Sequence, residues 1–233
     1  MQCSVSVAMA TFNGEKYIIE QLESLARQTL LPAELIITDD GSTDKTVDLI
    51  QGFVNQLNFP VRLVKNEARL GYGRNFMKAA SLSQSEYVAF CDQDDVWHID
   101  KISIVNAVAC KKEYDLIVHG GRVVDASLTE LGEFFPIVAE GVIKLDNYSK
   151  FFFPGNVMTI KRDFLMMLNY ESRKDSDGKS FAHDLWICGA TLQRGTCYGV
   201  NTPLISYRQH DSNVIGFSEL VNSESYASTL KVN

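Results

Sequence analysis

The stretch "YVAFCDQDDVWHIDK", Tyr87 to Lys101, decides how this chain is read. An apolar run leads directly into three acids, Asp92, Asp94 and Asp95, with Asp100 close behind. Clustered carboxylates repel one another, which costs stability. One explanation is a solvated turn that caps the helix beginning near Ile99, since Asp is common in turns and at N-caps. The other is a divalent cation, because Mg²⁺ and Mn²⁺ take oxygen ligands and relieve the repulsion. The rest of the chain has to choose.

Outward from this stretch, the first half alternates strands and helices. "SVSVAMAT" (4–11), "AELIITDD" (33–40), "VRLVKN" (61–66), "EYVAFCDQDD" (86–95) and "YDLIVHGGRVVD" (114–125) read as strands. Between them, residues 15–28, 42–57, 71–83 and 99–112 carry apolar residues at helical spacing. Ser42 or Thr43 is the expected cap of the second helix. This order predicts an α/β fold, a mainly parallel sheet with helices on both faces and right-handed crossovers. Ligands of such sheets bind at the carboxyl ends of the strands. "TFNG", "TDDGS", "KNEARLG" and "CDQDD" all fall at those ends, so four polar clusters converge on one edge.

The second half is less regular. Residues 147–168 join an aromatic run, a Pro-Gly turn, a short strand and a short helix. Residues 171–180 are polar and read as a surface loop. A helix is expected over 181–195, then a strand and a polar, His-containing segment over 196–216. The tail from 217 to 233 is weakly patterned.

Bulk properties exclude several classes. With 233 residues, 45% hydrophobic and 22% charged, the chain suits one sizeable globular domain. A net charge of −7 argues against nucleic acid as a partner. Five scattered cysteines without a CxxC pair argue against a zinc knuckle. Cys3 and Cys91 sit in apolar runs and read as buried reduced thiols, which suits the cytoplasm. The N-terminus lacks signal-peptide character, and no apolar run is long enough for a transmembrane segment.

Familiar phosphate and hydrolase motifs are missing. There is no GxxxxGK[ST], no GxSxG, and "GYGRN" at 71–75 is not GxGxxG. What remains is a nucleotide-diphosphate site held by a metal and basic residues. Asp39 and Asp40 end the second strand, and Gly41 lets the chain turn sharply there. A capping turn explains that pair, and so does a carboxylate accepting the N3–H of a uracil or thymine ring.

"VAMATFNGEKYIIEQLESLARQT", "ELIITDDGSTDKT", "NEARLGYGRN" and "AFCDQDDVW" together resemble the inverting family-two glycosyltransferases of the GT-A fold. The likeness is strong over about 4–125 and moderate over 150–216. It implies a nucleotide-sugar-binding half at 1–125 and an acceptor-side half at 126–216, followed by a tail. Thr11 and Asn13 would line the nucleotide pocket, Asp40 would accept from the base, and Arg69 or Arg74 would face base or phosphates. Asp92, Asp94 and Asp95 form the DxD-type motif, with Asp94 or Asp95 on Mg²⁺ or Mn²⁺ and His210 as a further ligand. Asp184, in "HDLW", is the implied catalytic base. Trp97, Gly155, Asn156, His183, Trp186 and Arg208 are weaker candidates for the sugar, acceptor or phosphate. Phe152 and Phe153 read as core rather than sugar platform.

"DQDDVW", "FPGN", "HDLW" and "YRQH" look most like the bacterial polysaccharide branch described as rhamnosyltransferases. That implies a UDP- or dTDP-sugar donor, with dTDP-rhamnose favoured, and a saccharide or lipid-linked acceptor. A lipid-linked acceptor would bring the protein to the inner face of the plasma membrane. Relatives often continue well past residue 216, so either this is a short member or a C-terminal membrane-docking or partner-binding region is missing. Two rivals stand beside this reading. A sugar nucleotidyltransferase would carry a Gly-rich basic loop after the first strand, where "TFNGEKY" has one glycine. A non-catalytic nucleotide-sugar-binding module would share the fold without the transfer.

Overall fold

The computed structural model describes residues 3–134, 138–143, 153–172, 182–211 and 213. Phe152, most of the loop at 171–180 and the tail at 217–233 lie outside the described residues. The first strand, β1 (Val5–Thr11), is buried along its whole length. That follows from its near-continuous apolar sequence, as expected for a strand covered on both faces. It pairs in parallel with β2 (Glu34–Asp39) on one side and β4 (Tyr87–Cys91) on the other. Beyond β2 lies β3 (Val61–Lys65), also parallel.

The helices α1 (Ile18–Ala26), α2 (Thr46–Phe53), α3 (Tyr72–Leu82) and α4 (Lys101–Lys111) connect these strands as the spacing predicts. Helix α2 starts later than expected, and neither Ser42 nor Thr43 caps it. Asp44 instead accepts from the Thr46 N–H at 3.0 Å and from its hydroxyl at 2.5 Å. Ser42 is drawn to Asp39, which shapes the turn after β2.

The second half adds antiparallel strands to this parallel frame. Strand β9 (Met158–Lys161) inserts between β4 and β6 (Leu116–Val124), antiparallel to both. Strand β10 (Cys197–Arg208) then runs parallel to β6. The short strands β5 (Val96–Trp97) and β8 (Gly141–Ile143) pair antiparallel with β10. Strand β7 (Glu130–Phe134) pairs with β6. The main path is β3-β2-β1-β4-β9-β6-β10-β5. Helices α5 (Arg162–Met167) and α6 (His183–Arg194) complete the described elements of this half.

Two features place the site. The register sets Thr11 beside Asp39, and Met9 beside Cys91, so β1, β2 and β4 end at one edge. Asn75 of α3 staples that edge: its buried amide donates to Thr38 O at 2.9 Å and to Thr11 O at 3.3 Å.

Candidate functional site

A cavity of about 440 Å³ opens at that edge, a size that suits a small-molecule ligand. On the β1–β2 side, Thr11 donates to Asp39 Oδ2 at 2.9 Å. Asp40 is buried and lines the cavity. Its Oδ1 accepts from Asn66 Nδ2 at 2.9 Å and Leu70 N at 2.7 Å, and its Oδ2 from Gly71 N at 2.8 Å. Asp40 therefore moors the segment that carries Arg69. The Arg69 guanidinium lies 3.9 Å from the centre of the Phe12 ring, and both residues line the cavity.

Sequence reasoning passed over Gln93. Its amide clasps the Phe12 backbone, accepting from the N–H and donating to the carbonyl, each at 3.0 Å. The acidic loop and the end of β1 are thereby locked together. The clue was present: Gln93 is the single neutral position inside "DQDD".

The three acids do not point the same way. Asp92 and Asp94 line the cavity, whereas Asp95 is only 1% exposed and lies beneath it. Asp95 accepts from Asn156 Nδ2 at 2.6 Å and from the Arg208 N–H at 3.1 Å. Burial, then the charge of Asp94, pushes its carboxyl up to about 7. Asp92 is also pushed well above the usual carboxylate range, by removal from water and then by Asp95, Asp94 and Asp184. Asp94 Oδ2 meets His210 Nε2 at 2.9 Å, and the His210 ring packs 4.8 Å from that of Tyr17. None of the three acids caps α4, whose N-cap is Asp100. The solvated capping turn is thus not what gathers them.

Two buried cations balance these charges. Arg208 is 1% exposed and does not line the cavity. Its Nε donates to Asp94 O at 2.8 Å, its Nη1 to Ala126 O at 2.7 Å, and its Nη2 pairs with Glu20. The guanidinium is committed to holding the acidic loop, which corrects its placement beside phosphate. Lys101, also missed, is fully buried. Its Nζ donates to Asn156 O at 2.9 Å and sits 3.7 Å from the centre of the Trp97 ring. Burial pulls its ammonium down to about 7. Trp97 is 3% exposed in the core under this lysine and is removed from the acceptor candidates.

The opposite wall comes from the second half. Asp184, in the first turn of α6, is buried and lines the cavity with His183, Gly155 and Asn156. The His183 ring stacks on Phe76 at 4.7 Å and meets Phe90 edge-on at 5.3 Å. Asn156 Oδ1, in a residue 1% exposed, accepts no hydrogen bond among the described residues. Trp186 is half-buried and lies off the cavity lining. Asn13 is exposed and holds Thr43 N at 2.9 Å, so it shapes the β1–β2 crossing rather than the cavity. Arg74 pairs with Glu171 at 2.8 Å on the outer surface, which leaves Arg69 as the cavity's arginine. Phe153 is core, as expected.

Among the described residues, no three His, Cys, Asp or Glu side chains converge into a ready-made metal cage. The donors that remain suit a different kind of site. Asp92 and Asp94 line the open cavity with carboxylate oxygens, and His210 Nε2 lies 2.9 Å from Asp94 Oδ2. Mg²⁺ and Mn²⁺ are commonly held by one or two carboxylates and completed by substrate phosphates. The carboxylates of Asp92 and Asp94 fit such an ion, while Asp95 is turned inward beneath the cavity.

Comparison with known proteins agrees with this geometry. The family described as Glycosyl transferase family 2 matches residues 6–167. The dTDP-rhamnosyl transferase RfbG of Shigella flexneri is 29% identical over 224 residues, covering 89% of this chain and 73% of that protein. The poly(ribitol-phosphate) beta-N-acetylglucosaminyltransferase TarS of Staphylococcus aureus is 38% identical over 112 residues, covering 47% of this chain and 19% of TarS. The solved structure of S. aureus TarS 1-349 in complex with UDP superposes with a TM-score of 0.72 at 22% identity. It covers 88% of this chain, which spans only 60% of that structure.

Proposed function

Because the chain belongs to glycosyl transferase family 2, we propose that it moves a sugar from a UDP- or dTDP-sugar to a saccharide or lipid-linked saccharide, with inversion. The process served is cell-surface polysaccharide synthesis, at the cytoplasmic side of the membrane. The observation that carries the reading is that Asp184, from the second half, lines the same cavity as Asp92 and Asp94.

In this reading Asp184 accepts the proton of the acceptor hydroxyl as its oxygen attacks the anomeric carbon. The bond from that carbon to the diphosphate breaks, and its electron pair leaves with the diphosphate. Asp94, Asp92 and His210 would hold Mg²⁺ or Mn²⁺, which supplies charge neutralisation for the leaving group. Asp40 and Arg69, with Phe12 beneath, would take the base, and the aromatic wall around His183 the sugar. A dTDP-rhamnose donor is favoured because a relative covered over 73% of its length is named as a dTDP-rhamnosyl transferase. Among the described residues, no helix is long and apolar enough to cross a membrane. A lipid-linked acceptor would be met at the membrane surface.

Asp184→Asn tests the proposal. With UDP- and dTDP-sugars and a saccharide panel, transfer should fall at least about 100-fold while donor binding is kept. Transfer at the wild-type rate would overturn the assignment. Donor binding without transfer by the unaltered protein, on any acceptor, would favour the non-catalytic module.

A further inference from the structure

Far from the cavity, two cysteines 107 residues apart meet at the opposite end of β1. Cys3 leads into β1, and Cys110 sits in the last turn of α4. Their Sγ atoms are 3.1 Å apart, and the Cys3 backbone N–H donates to Cys110 Sγ at 3.0 Å. Asn106, one turn earlier on α4, holds the pair by bonding the Cys3 carbonyl and approaching Cys110 Sγ at 3.4 Å. Cys3 is half-buried rather than buried, and Cys110 is exposed. Both are free thiols, as are Cys91, Cys188 and Cys197.

We propose that Cys3 and Cys110 form a reversible oxidation site, closed to a disulfide by exchange with a small-molecule disulfide such as oxidised glutathione. A bonded pair of sulfurs lies about 2.0 Å apart, so closure needs only about 1 Å of side-chain movement and no rearrangement of β1 or α4. The exposed Cys110 attacks first, releasing one thiol from the reagent and forming a mixed disulfide. Cys3 then attacks Cys110 Sγ and expels the second thiol. Two protein thiols are oxidised, one reagent disulfide is reduced to two thiols, and the protons balance.

The chemistry also selects this pair over the rest. The other three thiols are buried, and burial pushes Cys197 up to about 12 and Cys91 and Cys188 well above their ordinary value. Burial keeps the reagent from reaching them, whereas Cys110 is exposed. Cys3 is itself pushed up to about 12 by burial and then by its bond to Cys110. It is therefore the resolving partner rather than the initiator, and the second step is the slow one.

The test is to equilibrate the native protein with oxidised glutathione, alkylate, and count free thiols after denaturation. The expected count falls from five to three, with peptide mapping placing a disulfide between Cys3 and Cys110. The crosslink should raise the melting midpoint by roughly 5–10 °C, because it constrains a long loop of the unfolded chain. Dithiothreitol should restore both values. Cys110→Ser should keep all its remaining thiols under the same treatment, and Cys3→Ser should stop at a mixed disulfide on Cys110. Retention of five thiols, loss of a thiol from Cys91, Cys188 or Cys197, or a disulfide-linked dimer through Cys110 would each overturn the assignment.

Discussion

Asn156 donates its side-chain amide to Asp95 Oδ2 at 2.6 Å, a buried bond between residues 61 apart in sequence. It joins the acidic loop of the first half to the Pro-Gly turn of the second. Lys101 fixes the same Asn156 through its backbone carbonyl. Asp95 therefore acts as a buried tie between the two halves of the chain.

Replacing Asn156 with Ala should leave Asp95 short of a partner in a buried setting. The expected cost is about 1–3 kcal/mol, read as a lower urea midpoint. Asn156→Asp should be worse, since it sets a second carboxylate against Asp95. If Asn156→Asp were as stable as the native protein, the buried network described here would be wrong.

Arg208→Lys keeps one positive charge but loses the fork that reaches Asp94 O, Ala126 O and Glu20. Glu20 is half exposed, so that ion pair itself adds little. The larger loss is two carbonyls left without donors, about 2–4 kcal/mol in all. Chemical denaturation of Arg208→Lys, compared with that of the surface variant Arg74→Lys, checks this. Equal small effects would show that Arg208 is not the strut of the loop.

Gly155→Ala tests the close approach behind the cavity. A Cβ at Gly155 would lie 2.5 Å from His183 Nε2, so the ring must leave its stack on Phe76. The displaced ring should weaken donor binding about tenfold, at a cost of about 1–3 kcal/mol in stability. Unchanged donor affinity in titration would show that His183 does not shape the sugar wall.

Cation binding should depend on pH in a stated direction. A cation competes with protons for the carboxylates it binds, and Asp92 is raised by burial and then by Asp95 and Asp94, with Asp95 beneath the cavity itself pushed up to about 7. Protons held near neutral pH must leave as the ion enters. Mn²⁺ affinity, measured with a nucleoside diphosphate present, should therefore climb from about pH 5.5 to about pH 8. A flat profile across that range would mean these carboxyls are already ionised in the free protein.

The first half of the fold was legible because its signals are local. Strand and helix periods in residues 4–112 depend on neighbours in sequence, and they placed β1 to β4 and α1 to α4 within a few residues. The convergence at one edge followed from the parallel crossovers. The second half depends on distant pairings: β9 enters between β4 and β6, and no periodicity announces that. The same limit explains the site. Asp92, Asp94 and Asp184 were named from motif and resemblance, and all three line the cavity. That Asp95, Trp97 and Arg208 are buried off the lining was not legible, because inward and outward positions look alike in sequence until distant partners such as Asn156 and Lys101 arrive.

In the proposed function, the acidic loop and the wall that carries Asp184 receive a nucleotide diphosphate with a divalent cation. The decisive experiment is calorimetric titration of the protein with UDP and dTDP, each with and without Mn²⁺. Binding that requires the cation, is abolished in Asp94→Ala and is retained in Asp184→Asn is the predicted result. No binding of either nucleotide with any divalent cation, by a protein that melts cooperatively, would contradict the account.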